Sequence, residues 1–127
     1  MPLTGVVAVG VGAALGAWLR WWLGIMLNPV FPTVPLGTLA ANLIGAYLVG
    51  LALEVVAQHA GLAPEIRLFF ITGFLGALTT YSTFSAEAVT LLGRQQLGWA
   101  AVHIGGHLFG SLAMTVLGML TIRALRG

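Results

Sequence analysis

The chain has 127 residues, of which 59% are hydrophobic and only 6% are charged, and its formal net charge is +2. An ordinary soluble domain carries about 25% charged residues, so this chain has too little polar surface to cover a water-soluble globule. Its basic side chains are five arginines with no lysine, which is too sparse for a nucleic-acid surface, and without cysteine the redox compartment cannot be inferred.

Four apolar stretches are each long enough to cross a membrane as a helix. A hydrocarbon core roughly 30 Å thick requires about 20 residues, because each residue advances about 1.5 Å. The sequence predicts spans over residues 3–27, 36–57, 66–92 and 98–122. The connectors are short, so we expect residues 1–127 to form a single four-helix transmembrane domain of the all-α class. A cleaved signal peptide is not favoured, since no basic residue precedes the first span.

The first span contains Gly12 and Gly16 at GxxxG spacing, which lets helix backbones approach closely in lipid. Gly106 and Gly110 repeat this spacing in the fourth span. Near the end of the first span, Arg20 lies among tryptophans. Arg20 either reaches toward the membrane surface beside an aromatic belt or contributes to a polar pathway.

Polar side chains recur at helical spacing in the second and fourth spans. Thr38 and Asn42 are four residues apart, so they share one face of their helix. His103 and His107 are also four apart, and Ser111 follows one turn later. The histidine spacing suits metal ligands, but Glu87 is the only nearby carboxylate, so packed and hydrogen-bonded histidines are favoured over a zinc site.

The third span carries hydroxyls at its centre. Six of the seven side chains from Thr79 to Ser85 have one: Thr79, Thr80, Tyr81, Ser82, Thr83 and Ser85. With Gly73 and Gly76 just before it, this block predicts a break in the helix. Non-helical backbone at this depth is tolerated only inside protein or beside a water-filled cavity. Glu87 lies further along the same span, and an acid within a membrane is costly and usually functional.

The arginines give only a weak orientation signal. Four spans place Arg67, Arg123 and Arg126 on one side and Arg20 and Arg94 on the other. Cytoplasmic loops normally show a clear excess of basic residues. Three against two is compatible with a single orientation and also with insertion in both, which would permit an antiparallel homodimer.

Three segments resemble the Fluc family of small fluoride channels, also called CrcB proteins. They are GFLGALTTYSTFS at residues 73–85, GAWLR at 16–20 and GTLAANLIG at 37–45. The resemblance covers all four spans. It implies a dual-topology antiparallel homodimer in the bacterial inner membrane, with two fluoride pores that lower cytoplasmic fluoride, and therefore a channel rather than an enzyme.

The resemblance also implies an ion and a pathway. Backbone carbonyls of Gly76 and Thr79 would hold a structural Na+ on the dimer axis, with Asn42 at the vestibule. Together with the polar residues of the four spans described above, the predicted fluoride pathway comprises Asn42, Tyr81, Phe84, Ser82, Thr83, Ser111, Thr38, Glu87, Arg20 and His107. Tyr81 stands where the family usually has phenylalanine, and His107 stands where a small or hydroxyl residue is expected.

Two other functions remain open from the sequence. Small proton-coupled multidrug exporters also have four spans and dual topology, but they depend on an acid in the first helix, whereas the intramembrane acid here is Glu87 in the third. A membrane subunit without transport is least favoured, because an unpartnered polar block is costly in lipid.

Overall fold

The protein, described here over residues 2–127 by a computed structural model, contains four long helical spans and no strand within those residues. Helix α1 is Leu3–Leu27 and α2 is Leu36–Gln58. The third span is interrupted, with α3 over residues 64–78 and α4 at Tyr81–Gly93. Helix α5 is Leu97–Arg126. The four predicted spans are confirmed, and the fourth helix continues four residues beyond its predicted end because nothing in its polar last turn disrupts a helix.

The connector between the first two spans is fixed by one side chain. Asn28 follows α1 in a short 3-10 turn, and its Oδ1 accepts hydrogen bonds from Gly37 N at 2.7 Å and Thr38 N at 3.3 Å. These amides are in the first turn of α2, where backbone donors lack helical partners. Asn28 therefore caps α2 from outside the helix and sets where the second span begins.

Glycines bring α1 against the third span. A Cβ added to Gly12 would collide with the Phe69 carbonyl oxygen, and one added to Gly16 would collide with the Phe74 carbonyl oxygen. The facing segment Leu68–Leu75 is π-helical. The GxxxG motif of α1 thus forms a close helix crossing within the chain, since no side chain separates the two backbones.

A second close crossing joins α2 to α5. A Cβ on Gly50 would collide with the Thr115 carbonyl oxygen, and one on Gly118 would collide with that of Tyr47. Arg123 Nη2 lies 2.7 Å from Glu54 Oε1 near the end of this crossing. Gly106, which the sequence places in a GxxxG pair with Gly110, has nothing within 4 Å of an added Cβ. The tight contact of α5 therefore lies further along the helix than the predicted GxxxG pair.

The third span breaks at its centre, as predicted. Thr79 has φ −86° and ψ 153°, and Thr80 has φ −147° and ψ 118°, so both are extended. Gly76, by contrast, keeps helical dihedrals, and the break begins three residues after it. The break lies beside the buried core, where Leu78 and Ala41 have no exposed surface.

Candidate functional site

The backbone at the break is held by the side chain of Asn42. Thr80 N donates to Asn42 Oδ1 at 2.7 Å, and Asn42 Nδ2 donates to Thr80 O at 3.1 Å. One amide side chain therefore satisfies both polar groups of an extended residue in the middle of a membrane span. Leaving the N–H and C=O of Thr80 without hydrogen bonds in hydrocarbon would cost on the order of several kcal/mol.

Two helical backbone hydrogen bonds are replaced by bonds to side chains at the break, and this leaves two carbonyl oxygens without their usual donors. In a continuous helix, Thr80 N would bond Gly76 O, and Thr83 N would bond Thr79 O. Here Thr80 N donates to Asn42, and Thr83 N donates to Thr80 Oγ1 at 3.1 Å. Thr80 thereby forms the N-cap of α4. The oxygens of Gly76 and Thr79 have lost their helical donors and can accept another ligand.

Arg20 contacts the backbone of the third span just before the break. Its Nε donates to the carbonyl oxygen of Ala77 at 2.9 Å, one of the last carbonyls of α3. A cation is favourable at the C-terminal end of a helix, where the carbonyl dipoles point outward. Arg20 therefore has a specific partner inside the protein and does not simply extend to the membrane surface.

A cavity of about 650 Å³ opens beside the break. It is lined by helices α2, α3, α4 and α5 and by the residues of the break itself. Its polar lining comes from Asn42, Thr79, Thr80, Tyr81, His107, Ser111 and Thr115. Tyr81, at the start of α4, is 81% exposed, so the cavity is open on that side of the chain.

Aromatic rings form one wall of this cavity. The rings of Tyr81 and Phe84 meet edge to face, with centroids 5.7 Å apart and an interplanar angle of 61°. Phe84 also contacts both histidines of α5, with centroid distances of 5.2 Å to His103 and 4.6 Å to His107. An aromatic ring has a positive edge, so this wall can approach an anion favourably.

A smaller cavity of about 290 Å³ lies on the other side of the break. It is lined by Arg20, Trp21, Gly24, Ile25, Asn28, Thr38 and Thr80. Thr80 lines both cavities, so the extended backbone that Asn42 holds separates them.

Thr38, Glu87 and the two histidines form a polar cluster next to the aromatic wall. Thr38 Oγ1 donates to Glu87 Oε2 at 2.7 Å, and His103 Nε2 lies 3.6 Å from Glu87 Oε1. His107 Nδ1 lies 3.0 Å from Asn42 Nδ2. Because the amide orientation of Asn42 is fixed by Thr80, its Nδ2 is the donor in this contact and His107 Nδ1 accepts.

The structure brings most of the predicted pathway residues together. Asn42, Tyr81, Phe84, His107 and Ser111 surround the larger cavity. Arg20 and Thr38 line the smaller one, and Glu87 is bonded to Thr38. Ser82 and Thr83 line neither cavity: Ser82 Oγ contacts Thr80 Oγ1 at 3.3 Å, and Thr83 contributes its backbone to the cap of α4.

The sequence did not predict the role of Thr80, one hydroxyl among six, whose backbone forms the break and whose Oγ1 caps α4. His103 is a packed histidine, as the sequence favoured: it is 1% exposed, and its Nε2 lies 3.3 Å from the Phe84 carbonyl oxygen. Its position beside Glu87, with 3.6 Å between Nε2 and Oε1, was not predicted. The i, i+4 spacing of His103 and His107 was the available signal, but the distance from α5 to Glu87 could not be read from it.

The sequence is similar to one protein family along nearly its whole length. Residues 7–119 match the family model described as CrcB-like protein, Camphor Resistance (CrcB). A protein of Nitrosospira multiformis named fluoride-specific ion channel FluC is 63% identical over 97% of this chain and 96% of its own length. Proteins with the same name are similar in Cupriavidus taiwanensis, 59% identical over 95% and 96%, and in Pseudomonas paraeruginosa, 55% identical over 96% of each chain.

Proposed function

The chain belongs to the CrcB family, and from this membership we propose that it is a fluoride-specific ion channel of a bacterial membrane. Fluoride leaves the cell through it down the electrochemical gradient, so cytoplasmic fluoride falls. The observation that carries this proposal is the cavity at the broken third span, where neutral donors and aromatic rings converge within the membrane. A passive channel of this kind is not an enzyme.

The lining suits a small, strongly hydrated anion. A selective filter must replace the water around fluoride with close donors and must exclude larger anions by size. The hydroxyl of Ser111 and the Nε2–H of His107 are uncharged donors in this lining, whereas both N–H groups of Asn42 are already bonded, one to Thr80 O and one to His107 Nδ1. Ring edges of Tyr81 and Phe84 add weaker attraction, which lets the ion leave again.

The path begins on the side of the smaller cavity. Arg20 and Thr38 line that entrance, and Glu87 is held there by Thr38. The path then runs along Asn42 and the aromatic wall, with His107 and Ser111 on α5. Ser82 and Thr83 line neither cavity, and they adjoin the path only through Thr80, whose Oγ1 contacts Ser82 Oγ and accepts from Thr83 N. The charge of Arg20 attracts anions to the entrance, and the bond from its Nε to the Ala77 carbonyl oxygen holds the side chain in place.

The functional unit is an antiparallel homodimer with two pores. The larger cavity is open beside the exposed Tyr81, and polar atoms facing lipid at this depth are costly. A second copy covers that side. Since the chain has no internal repeat and its arginines divide three against two, two oppositely inserted copies supply the inverted symmetry that larger transporters obtain by duplication.

A structural Na+ fits the freed carbonyls at the break. Gly76 O and Thr79 O have lost their helical donors, because Thr80 N and Thr83 N bond side chains instead. Two such oxygens from each subunit would give four hard ligands, which suit a hard cation. The ion would supply positive charge to the carbonyl dipoles where the two copies meet.

No specific observation favours the multidrug exporter. Helix α1 has no acidic residue, and the relatives are named fluoride channels. The test of the proposed function is fluoride efflux from proteoliposomes, followed with a fluoride electrode and repeated with chloride. We expect rapid fluoride release and far slower chloride release; equal release of both anions would refute fluoride selectivity.

A further inference from the structure

Three side chains of the metal-ligand type meet beside the aromatic wall: Glu87, His103 and His107. One ligand atom from each lies within 4.8 Å of the other two. Within residues 2–127, three atoms of this cluster are buried without a hydrogen-bond partner: Glu87 Oε1, His103 Nδ1 and His107 Nε2. Buried polar atoms are normally paired, so three orphans in one cluster indicate that the site takes a ligand.

The donor set defines the kind of ligand. Two imidazoles and one carboxylate form a set that binds zinc-type ions and leaves a fourth position open. Tetrahedral coordination with bonds of about 2.1 Å places ligand atoms about 3.4 Å apart. His103 Nε2 and Glu87 Oε1 are already 3.6 Å apart. His103 Nε2 also lies 3.3 Å from the Phe84 carbonyl oxygen, so binding through this nitrogen requires side-chain rotations that release that contact and bring the set onto one ion.

The surroundings of the cluster hold two of the ligands in place. Thr38 Oγ1 donates to Glu87 Oε2 at 2.7 Å, which orients the carboxylate and leaves Oε1 free. The His103 ring stacks on Phe84 at an interplanar angle of 23°, and the side chain is 1% exposed. Supporting contacts of this kind orient metal ligands and raise affinity.

We propose that Glu87, His103 and His107 bind a divalent transition metal ion of the zinc type, and that the bound ion inhibits conduction. Metal binding would affect conduction through His107, because its Nδ1 accepts a hydrogen bond from Asn42. If Nδ1 binds the ion, its lone pair is no longer available to Asn42. If Nε2 binds, the ring proton moves to Nδ1, which then opposes the Asn42 N–H. Either way, the residue that holds the break loses a partner.

Metal binding is tested directly with Co²⁺, which absorbs visible light when tetrahedral. The purified full chain in detergent should bind one Co²⁺ per chain, and added Zn²⁺ should displace it. Glu87→Gln and His103→Gln should each weaken binding about tenfold or more. The control is His59→Ala, which changes the exposed third histidine outside the cluster and should bind normally.

Two results would overturn the site. One is the absence of tetrahedral Co²⁺ absorption in the unchanged chain, and the other is undiminished binding in both variants. Glu87 is the most exposed member of the cluster, so Glu87→Gln keeps the test decisive where His103→Gln does not fold.

Inhibition rests on the proposed function, whereas metal binding does not. The measurement is the ratio of fluoride efflux with and without Zn²⁺ in proteoliposomes. Zinc should slow efflux about tenfold or more in the unchanged chain and in His59→Ala, and much less in His103→Gln. Binding without slowing would overturn the inhibition. A lack of zinc-free efflux would instead contradict the channel, and the Co²⁺ result would stand.

Discussion

At the residue scale, Asn42 connects the broken third span to the proposed fluoride path. It bonds both backbone groups of Thr80 and donates to His107, so a single amide links the second, third and fourth spans. Aspartate is nearly the same size and could still accept from Thr80 N, but it has no N–H to donate to Thr80 O and His107 Nδ1. An amide is therefore the side chain that satisfies all three contacts.

Asn42→Ala should lower both stability and flux. Its loss leaves Thr80 N and O unpaired, which should cost about 2 to 4 kcal/mol of unfolding free energy. Thermal unfolding in detergent measures this cost. Gln58→Ala, at the exposed end of α2, is the control and should change little. An unchanged unfolding temperature in Asn42→Ala would show that the break does not need the amide.

Tyr81 stands where the resemblance to the Fluc family leads us to expect phenylalanine, and it keeps an aromatic contact there. Its ring meets Phe84 edge to face while the side chain is 81% exposed. On the proposed fluoride path, we expect the ring edge of Tyr81, rather than its hydroxyl, to face the anion.

Tyr81→Phe should therefore retain fluoride efflux within about twofold, because it preserves the ring, whereas Tyr81→Ile should reduce it strongly. Both rates are read with a fluoride electrode in proteoliposomes. If Tyr81→Phe abolished efflux, the hydroxyl itself would be the essential group.

At the scale of elements, close backbone crossings position the broken span. Gly12 and Gly16 seat α1 on the π-helical Leu68–Leu75, just before the break. Gly12→Ala should destabilise the protein by about 1 to 3 kcal/mol, because its Cβ meets backbone that cannot rotate away. Gly10→Ala, on the same helix, is the matched control since nothing lies within 4 Å of its added Cβ. Equal unfolding temperatures for the two variants would contradict the crossing.

The sequence predicted the spans and the break for reasons that are local. Apolar length determines the spans, and a cluster of hydroxyls such as Thr79 to Ser85 has few stable places in lipid. The partners of those groups were not predictable in the same way. That Asn42 reaches Thr80, and Arg20 reaches Ala77, depends on how the helices are ordered and rotated. The tight contact of Gly50 with α5 was missed for the same reason, because Gly50 is not part of a local GxxxG.

At the scale of the whole molecule, the proposed dimer and its ion should depend on each other. Replacing Na+ with a large organic cation that cannot fit between carbonyls should lower the dimer fraction and fluoride efflux together, and returning Na+ should restore both. Size-exclusion chromatography and the efflux assay provide the two measurements. Unchanged dimer and efflux without Na+ would remove the proposed role of Gly76 and Thr79.

We propose that fluoride crosses the membrane along the aromatic wall beside the break. The most direct test of this path is fluoride efflux from proteoliposomes containing Phe84→Ile, compared with Phe109→Ile on the exposed face of α5. Phe84→Ile should abolish efflux while the dimer persists, and Phe109→Ile should conduct like the unchanged chain. Efflux through Phe84→Ile at the unchanged rate would contradict the proposed path.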